Sequence, residues 1–170
     1  MQITHLAQQM AHHAEAIHKM TLGISNEQAR WKPTPDDWSI LEVICHLADE
    51  EREDFRTRVR WALGGGVEPW HPIDPQGWVT SRGYNQRELA ASVADFLAER
   101  EASLAWLKGL ADPHWEQGYP APWGSEMRAG DFMAAWVAHD LLHLRQLTEL
   151  HYAWTAAQVE PFAVDYAGEW

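Results

Sequence analysis

Apolar residues recur every three or four positions along four long stretches of the chain, a spacing that predicts four amphipathic helices. In the first stretch Ile3, Leu6, Met10, His13, Ile17 and Met20 share one face, and Gly23 closes it. Ser25 with Gln28 three residues later resembles a capping box and opens a short helical turn before Pro33. The run from Trp31 to Trp38 holds Pro33 and Pro35 and is expected to be a linker. Ser39 followed by Glu42 forms a second capping box, so the second helix starts near Ile40. Its stripe is Leu41, Ile44, Ala48, Phe55, Val59 and Ala62, and Gly64 to Gly66 remove helix propensity at its far end.

From Gly64 to Tyr84 the chain sets Pro69, Pro72, Pro75, Gly77 and Gly83 among Trp70, His71 and Trp78, too punctuated for a helix. A loop of that length is expected to be functional or mobile. Asn85 with Glu88 is expected to cap a third helix, whose Leu89, Val93, Phe96, Arg100, Leu104 and Leu107 keep helical spacing until Asp112 and Pro113. A second loop passes through Pro120, Pro122 and Gly124. Asp131 is expected to cap a fourth helix running to about Tyr152, with apolar residues around nearly its whole circumference, as in a central element. Four helices and no strand pattern predict an all-α four-helix bundle over residues 1–154, with long loops between its second and third and its third and fourth helices. The tail, 155–170, carries Phe162, Tyr166 and Trp170 and is expected to pack on the body or on a partner subunit.

Composition narrows the function. The 170 residues suit one domain, and a formal charge of −12 opposes binding to phosphate backbones, which argues against a nucleic-acid partner. The longest apolar run, Phe132 to Ala138, is far short of the roughly 20 residues that span a bilayer, and the N-terminus lacks a signal-peptide core. A cytoplasmic protein without membrane attachment is expected. The single cysteine, Cys45, excludes an intrachain disulfide and a multi-cysteine zinc site, so a metal here needs imidazole or carboxylate ligands, and the chain has ten histidines.

His139 and His143 lie four apart on the fourth helix, on the face that also holds Phe132, Trp136, Leu147 and Leu150. Both imidazoles therefore point inward, either as a hydrogen-bonded core pair or as metal ligands. His46 on the second helix lies off that helix's apolar stripe, beside Glu42, Glu50 and Glu53, the position of a solvated histidine. Spacing by itself leaves both readings open.

The string W-S-x-x-E-x-x-x-H-L-x-D-x-E from Trp38 to Glu51, paired with H-D-x-x-H-L-R-Q-L from His139 to Leu147, resembles the DinB-like superfamily of metal-binding four-helix bundles. The order of elements over about residues 1–152 and the S-N-E-Q-A-R-W-K-P text from Ser25 to Pro33 resemble that family too. The resemblance implies one divalent metal, zinc or nickel, on His46, His139 and His143. It also implies a small-molecule substrate and often a homodimer. Family members with assigned activity include transferases using low-molecular-weight thiols and a thiol-dependent isomerase; the family's name does not imply DNA binding. Three imidazoles with positions left for water or substrate make an open centre, where a divalent ion lowers the pKa of a water or thiol.

Other residues bear on that reading. Glu50, one turn after His46, is a candidate outer ligand, imidazole acceptor or general base, or else a solvated glutamate. Asp140 and Gln146 are placed to orient an imidazole or to make interhelix contacts. Arg145 is either a salt-bridge residue or an anion contact. Cys45 reads as core. His5, His12, His13 and His18 form a cluster on the first helix that could take adventitious metal. His71, Trp70 and Asp74 could close over a pocket or form a stiff connection, and Trp123 and Trp136 could line one or simply pack. His139 to His143 also resembles the H-E-x-x-H helix of zinc peptidases, with Asp140 at the base position. The expected function is thus a metal-dependent enzyme, such as a thiol transferase. The alternatives are a non-catalytic stress-response or ligand-binding module and a metal-dependent hydrolase. The loops 64–84 and 113–130 are expected to choose the substrate.

Overall fold

The four predicted helices form an all-α four-helix bundle in the computed structural model, which describes residues 2–168. They are α1 (Ile3–Met20), the continuous pair α3 (Ile40–Asp49) and α4 (Arg56–Leu63), α6 (Leu89–Lys108) and α7 (Ala129–Gln158). Short helices α2 (Asn26–Arg30) and α5 (Pro75–Ser81) lie in the connections. Helix α1 packs on α6 and α7, α3 on α6, and α4 on α7. No described helix is long and apolar enough to cross a membrane.

Two apolar clusters fill the bundle. One gathers Met10, Phe55, Leu107, Phe132, Met133 and Trp136. The other gathers Ile17, Ile44, Leu47, Phe96, Leu147 and Leu150. Along every long helix a polar residue separates the two in sequence: His13 on α1, Glu51 after α3, Arg100 on α6 and Asp140 on α7. The last three are buried and ion-paired to one another through Arg100.

Between α3 and α4 the backbone makes a π-helical segment, Glu50–Phe55. One wide turn shifts the register between the helix before it and the helix after it, a feature common at functional sites. The 64–84 segment departs from the loop expected of it, because its prolines and glycines also serve as helix signals. Pro75 sits in the first turn of α5, where its missing N–H costs nothing, and the Asp74 carboxylate accepts the Gly77 N–H at 3.0 Å. Helix α5 then buries Trp78 and Val79 against Leu41, Cys45 and Tyr84.

Further expectations are corrected. Asn85 does not cap the third helix: Tyr84–Gln86 form a 3₁₀ turn, and the Asn85 side chain accepts from Ser39 Oγ at 2.8 Å and donates to the Arg30 carbonyl at 3.2 Å, so α6 starts from Glu88. Asp131 lies inside the first turn of α7, accepting the backbone N–H of the N-cap residue Arg128 at 2.9 Å. The loop after α6 contains a short antiparallel hairpin, β1 (Gly118–Pro120) and β2 (Glu126–Arg128), with Tyr119 opposite Met127. Its Tyr119 ring lies against Gly66, whose φ of +65° and lack of a Cβ permit the approach. In the tail, Phe162 is 78 % exposed and Tyr166 is exposed as well, so neither packs on the body; Trp170 lies outside the described residues.

Candidate metal centre

The start of α3 is held firmly. Ser39 Oγ accepts the Glu42 N–H at 3.2 Å, Glu42 Oε2 accepts the Ser39 N–H at 2.8 Å, and Lys32 pairs with Glu42 Oε1 at 2.8 Å. Two turns on stands His46, only 4 % exposed. Its place beside Glu42 and Glu50 on the wheel does not make it solvated, because α3 is covered on all sides and every residue from Ser39 to Glu51 is buried. Burial on all faces erases the amphipathic contrast from which the solvated reading follows.

His139 and His143 project from α7 towards His46. The His46 ring centre lies 5.4 Å from that of His139 and 4.8 Å from that of His143, and the last two are 4.4 Å apart. One nitrogen from each of the three lies within 4.8 Å of the others, and among the described residues no other three metal-binding side chains converge this way. His139 Nε2 and His143 Nε2 face each other at 3.1 Å. Gln146 Oε1 lies 2.8 Å from His143 Nδ1; a carboxamide oxygen only accepts, so Nδ1 carries the proton and Nε2 keeps its lone pair. Trp38 and Phe55 wall the group, edge-on to His46 at 4.8 Å and tilted against His139 at 4.9 Å between ring centres.

Electrostatics favour neutral imidazoles. Burial, then the neighbouring His143 and His139, lower His46 to about 2. Burial and then His143 lower His139 to about 3, and burial also lowers His143, against the opposing hydrogen bond that His143 donates to Gln146. A metal ligand must offer a lone pair, and these three have one at neutral pH. Glu50 is 4 % exposed, so the solvated reading of it also fails. Burial pushes its carboxyl up to about 8, with Asp54 adding in the same direction. Glu50 Oε1 lies 3.9 Å from His46 Nδ1, and neither atom has a hydrogen-bond partner among the described residues. Buried polar atoms are seldom left so, and an electrophile or donor entering the site would satisfy them. The donor set therefore fits a divalent cation of intermediate softness.

Above the histidines opens a cavity of about 620 Å³, within the range of small-molecule sites. Trp38, which composition gave no reason to single out from eleven tryptophans, forms part of its wall; its position next to the Ser39 cap was the available signal. From the 64–84 segment Pro75 and Gln76 reach this cavity, but Trp70, His71 and Asp74 do not, and no residue of 113–130 lines it. The second expected substrate loop closes the opposite end of the bundle. Asp140 turns away from the histidines: its carboxylate takes two hydrogen bonds from Arg100, at 2.8 and 2.7 Å, and faces His13 Nδ1 at 3.2 Å. It neither orients His139 nor occupies a peptidase-like base position, since adjacent helical residues point about 100° apart. Gln146 does orient an imidazole. Arg145 pairs with Glu149 at 3.3 Å on the cavity rim. Cys45 is buried core, its thiol 3.4 Å from Ser92 Oγ and pushed up by burial. Trp136 is buried below the site and donates Nε1–H to Glu51 Oε1 at 2.7 Å, whereas Trp123 is exposed and packs on Trp70.

The family model of the DinB superfamily matches residues 3–147. The chain belongs to the DinB superfamily. A relative of this DinB-superfamily chain in Oceanobacillus iheyensis, named a "putative metal-dependent hydrolase", is 25 % identical over 130 residues, 76 % of this chain and 74 % of that one. The solved structure of YfiT from Bacillus subtilis, described as a "probable metal-dependent hydrolase with an unusual four-helix bundle topology", matches with a TM-score of 0.76 at 19 % identity. The match covers 88 % of this chain and 85 % of YfiT. At that identity the likeness to YfiT is one of fold.

Proposed function

We propose that this chain is a hydrolase dependent on a divalent metal, zinc or nickel, held by His46, His139 and His143, with Glu50, whose ionised form a nearby cation would favour, accepting a proton from the attacking water. The observation that carries the reading is the convergence of three neutral imidazoles beside a buried carboxyl group, Glu50, whose Oε1 has no hydrogen-bond partner among the described residues, on the floor of an open cavity. The names given to the relatives support it. A divalent ion in such a site supplies Lewis acidity, which brings a water or a thiol towards ionisation near neutral pH. Gln146 holds the His143 ring, one α-helical turn places Glu50 beside His46, and Trp38 and Phe55 shield two of the imidazoles from water.

The test begins with elemental analysis of tag-free protein purified without a metal column, native beside His46→Ala, His139→Ala and His143→Ala. One divalent metal per native chain, largely lost from each variant, is expected. Ester and amide panels then read turnover, and Glu50→Gln is expected to keep the metal while losing about 10²- to 10⁴-fold in kcat/KM. A native chain that holds no metal and cannot be loaded with zinc or nickel overturns the proposal.

Transfer of a low-molecular-weight thiol would use the same residues, and metal-dependent turnover confined to assays containing thiol and electrophile would favour it. Because the histidines come from two helices, an ion would also tie α3 to α7. A large fall in melting temperature on chelation with no turnover in any panel would favour a binding module. Light scattering tests whether the exposed Phe162 and Tyr166 belong to a homodimer contact.

A further inference from the structure

The rim of the cavity carries charge largely of one sign. Asp36, Asp37 and Glu149 line it with one cationic residue, Arg145, whose Nε lies 3.3 Å from Glu149 Oε1. Asp37 Oδ2 is occupied, accepting the Thr34 N–H at 3.0 Å and the Thr34 hydroxyl at 2.8 Å. Asp36 makes no hydrogen bond or ion pair with the described residues. Acidic side chains on a rim are ordinarily just solvated. The second observation lies deeper: Glu50, 4 % exposed, lines the same cavity, and its Oε1 has no hydrogen-bond partner. A buried oxygen that faces a cavity without a protein partner is satisfied by a donor that enters there, on a water or on a ligand. The Trp38 ring, whose faces are electron-rich, forms part of the wall between rim and floor. Acceptors at both depths, an aromatic wall and no unpaired cation complement a ligand that donates hydrogen bonds and carries positive charge.

We propose that the substrate is a small molecule bearing a protonated amine or a guanidinium. Its cationic end lies at the rim by Asp36 and Glu149, along Trp38, and its ester or amide group lies over the histidines. This inference rests on the hydrolase reading above and adds its specificity. Hydrolysis there consumes one water: the C–O or C–N bond breaks, the acyl carbon takes the hydroxyl, and the leaving group takes the proton. The chain's formal charge of −12 also draws cations towards the mouth.

The test has two arms. In the first, the full chain, both metal-free and zinc-loaded, is titrated calorimetrically with phenethylamine, 2-phenylethanol and 3-phenylpropionate. The amine is expected to bind about tenfold more tightly than the carboxylate, to weaken about three- to fivefold in each of Asp36→Asn and Glu149→Gln, and to tighten in Arg145→Gln, which frees Glu149. All three substitutions are on the rim and leave the core intact. Equal or tighter binding of the carboxylate, or identical amine binding by all variants, overturns the inference. In the second arm, matched cationic, neutral and anionic esters are assayed with zinc-loaded enzyme. Selective binding of the amine without turnover of any ester leaves the cation site standing and removes the hydrolase reading. Turnover without preference for the cationic ester does the reverse.

Discussion

Two buried polar groups lie back to back in this bundle, built from consecutive residues of the same helices, and they are finished differently. Glu51 and Asp140 belong to one. Arg100, 2 % exposed, bridges their carboxylates, with its Nε 2.7 Å from Glu51 Oε1, its guanidinium paired twice to Asp140, and its Nη1 also donating to the Met10 carbonyl at 2.8 Å. Ser103 and Trp136 complete Glu51, each donating at 2.7 Å. Glu50 and His139 belong to the other, with His46 and His143, and that group leaves His46 Nδ1 and Glu50 Oε1 without partners. A fully satisfied network rigidifies a core, while a partly satisfied one waits for a ligand. On the proposed reading, stability belongs to one side of the two helices and chemistry to the other.

The contrast is broken most forcefully at Arg100. Arg100→Ala leaves two buried carboxylates without their cation and is expected to cost about 3–5 kcal/mol in chemical denaturation of the metal-free chain. A loss below about 1 kcal/mol would show that the network is not the brace described here. Next in size is Gln146→Ala, which removes the acceptor that orients His143. It is expected to weaken zinc affinity by about 10- to 100-fold while the unfolding midpoint of the metal-free chain barely moves, because Gln146 serves the site and not the brace. If stability falls and metal affinity does not, the assignment of the two sides is reversed.

The smallest effect lies at the edge of the brace. Burial tends to raise Glu99, but hydrogen bonds from Arg56 and Arg52 outweigh it and hold the carboxyl below the ordinary value of 4.5. A carboxylate lowered in the folded state contributes stability above its unfolded pKa and loses it as pH falls through the folded one. Glu99→Gln is therefore expected to make stability fall less steeply below about pH 4.5, with little change in slope above it, as read by urea denaturation at a series of pH values.

Much of this architecture was legible in residue patterns. The four stripes located the four long helices, and the boxes at Ser25 and Ser39 located two helix starts, because both signals are local. Less legible were features whose partner lies far along the chain. Asn85 has the composition of a cap, yet its side chain is taken by Ser39 and Arg30, more than 40 residues away. Pro75 and Gly77 were read as breakers, although Asp74 makes them the first turn of α5. The histidine motif joined His46 to His139 and His143 only through a family resemblance, since the wheel placed His46 among glutamates.

By itself, the sequence determined the helical class, the location of the four main helices though not their ends (α7 runs on to Gln158, past the expected end near Tyr152), the absence of an intrachain disulfide or a multi-cysteine metal site, and the pairing of His139 with His143 on one face. Those properties follow from composition and from a repeat of 3.6 residues, which need no knowledge of neighbours. Tertiary structure decided which of two adjacent acidic residues serves the site. Glu50 faces the cavity and Glu51 faces Arg100 because adjacent helical residues point about 100° apart and different neighbours pack against each. It also decided that His46 is buried, that Asp140 braces the core, and that the hairpin loop lies away from the cavity. Each of those outcomes depends on what packs against a residue from another helix, and helical periodicity describes only the helix that carries it.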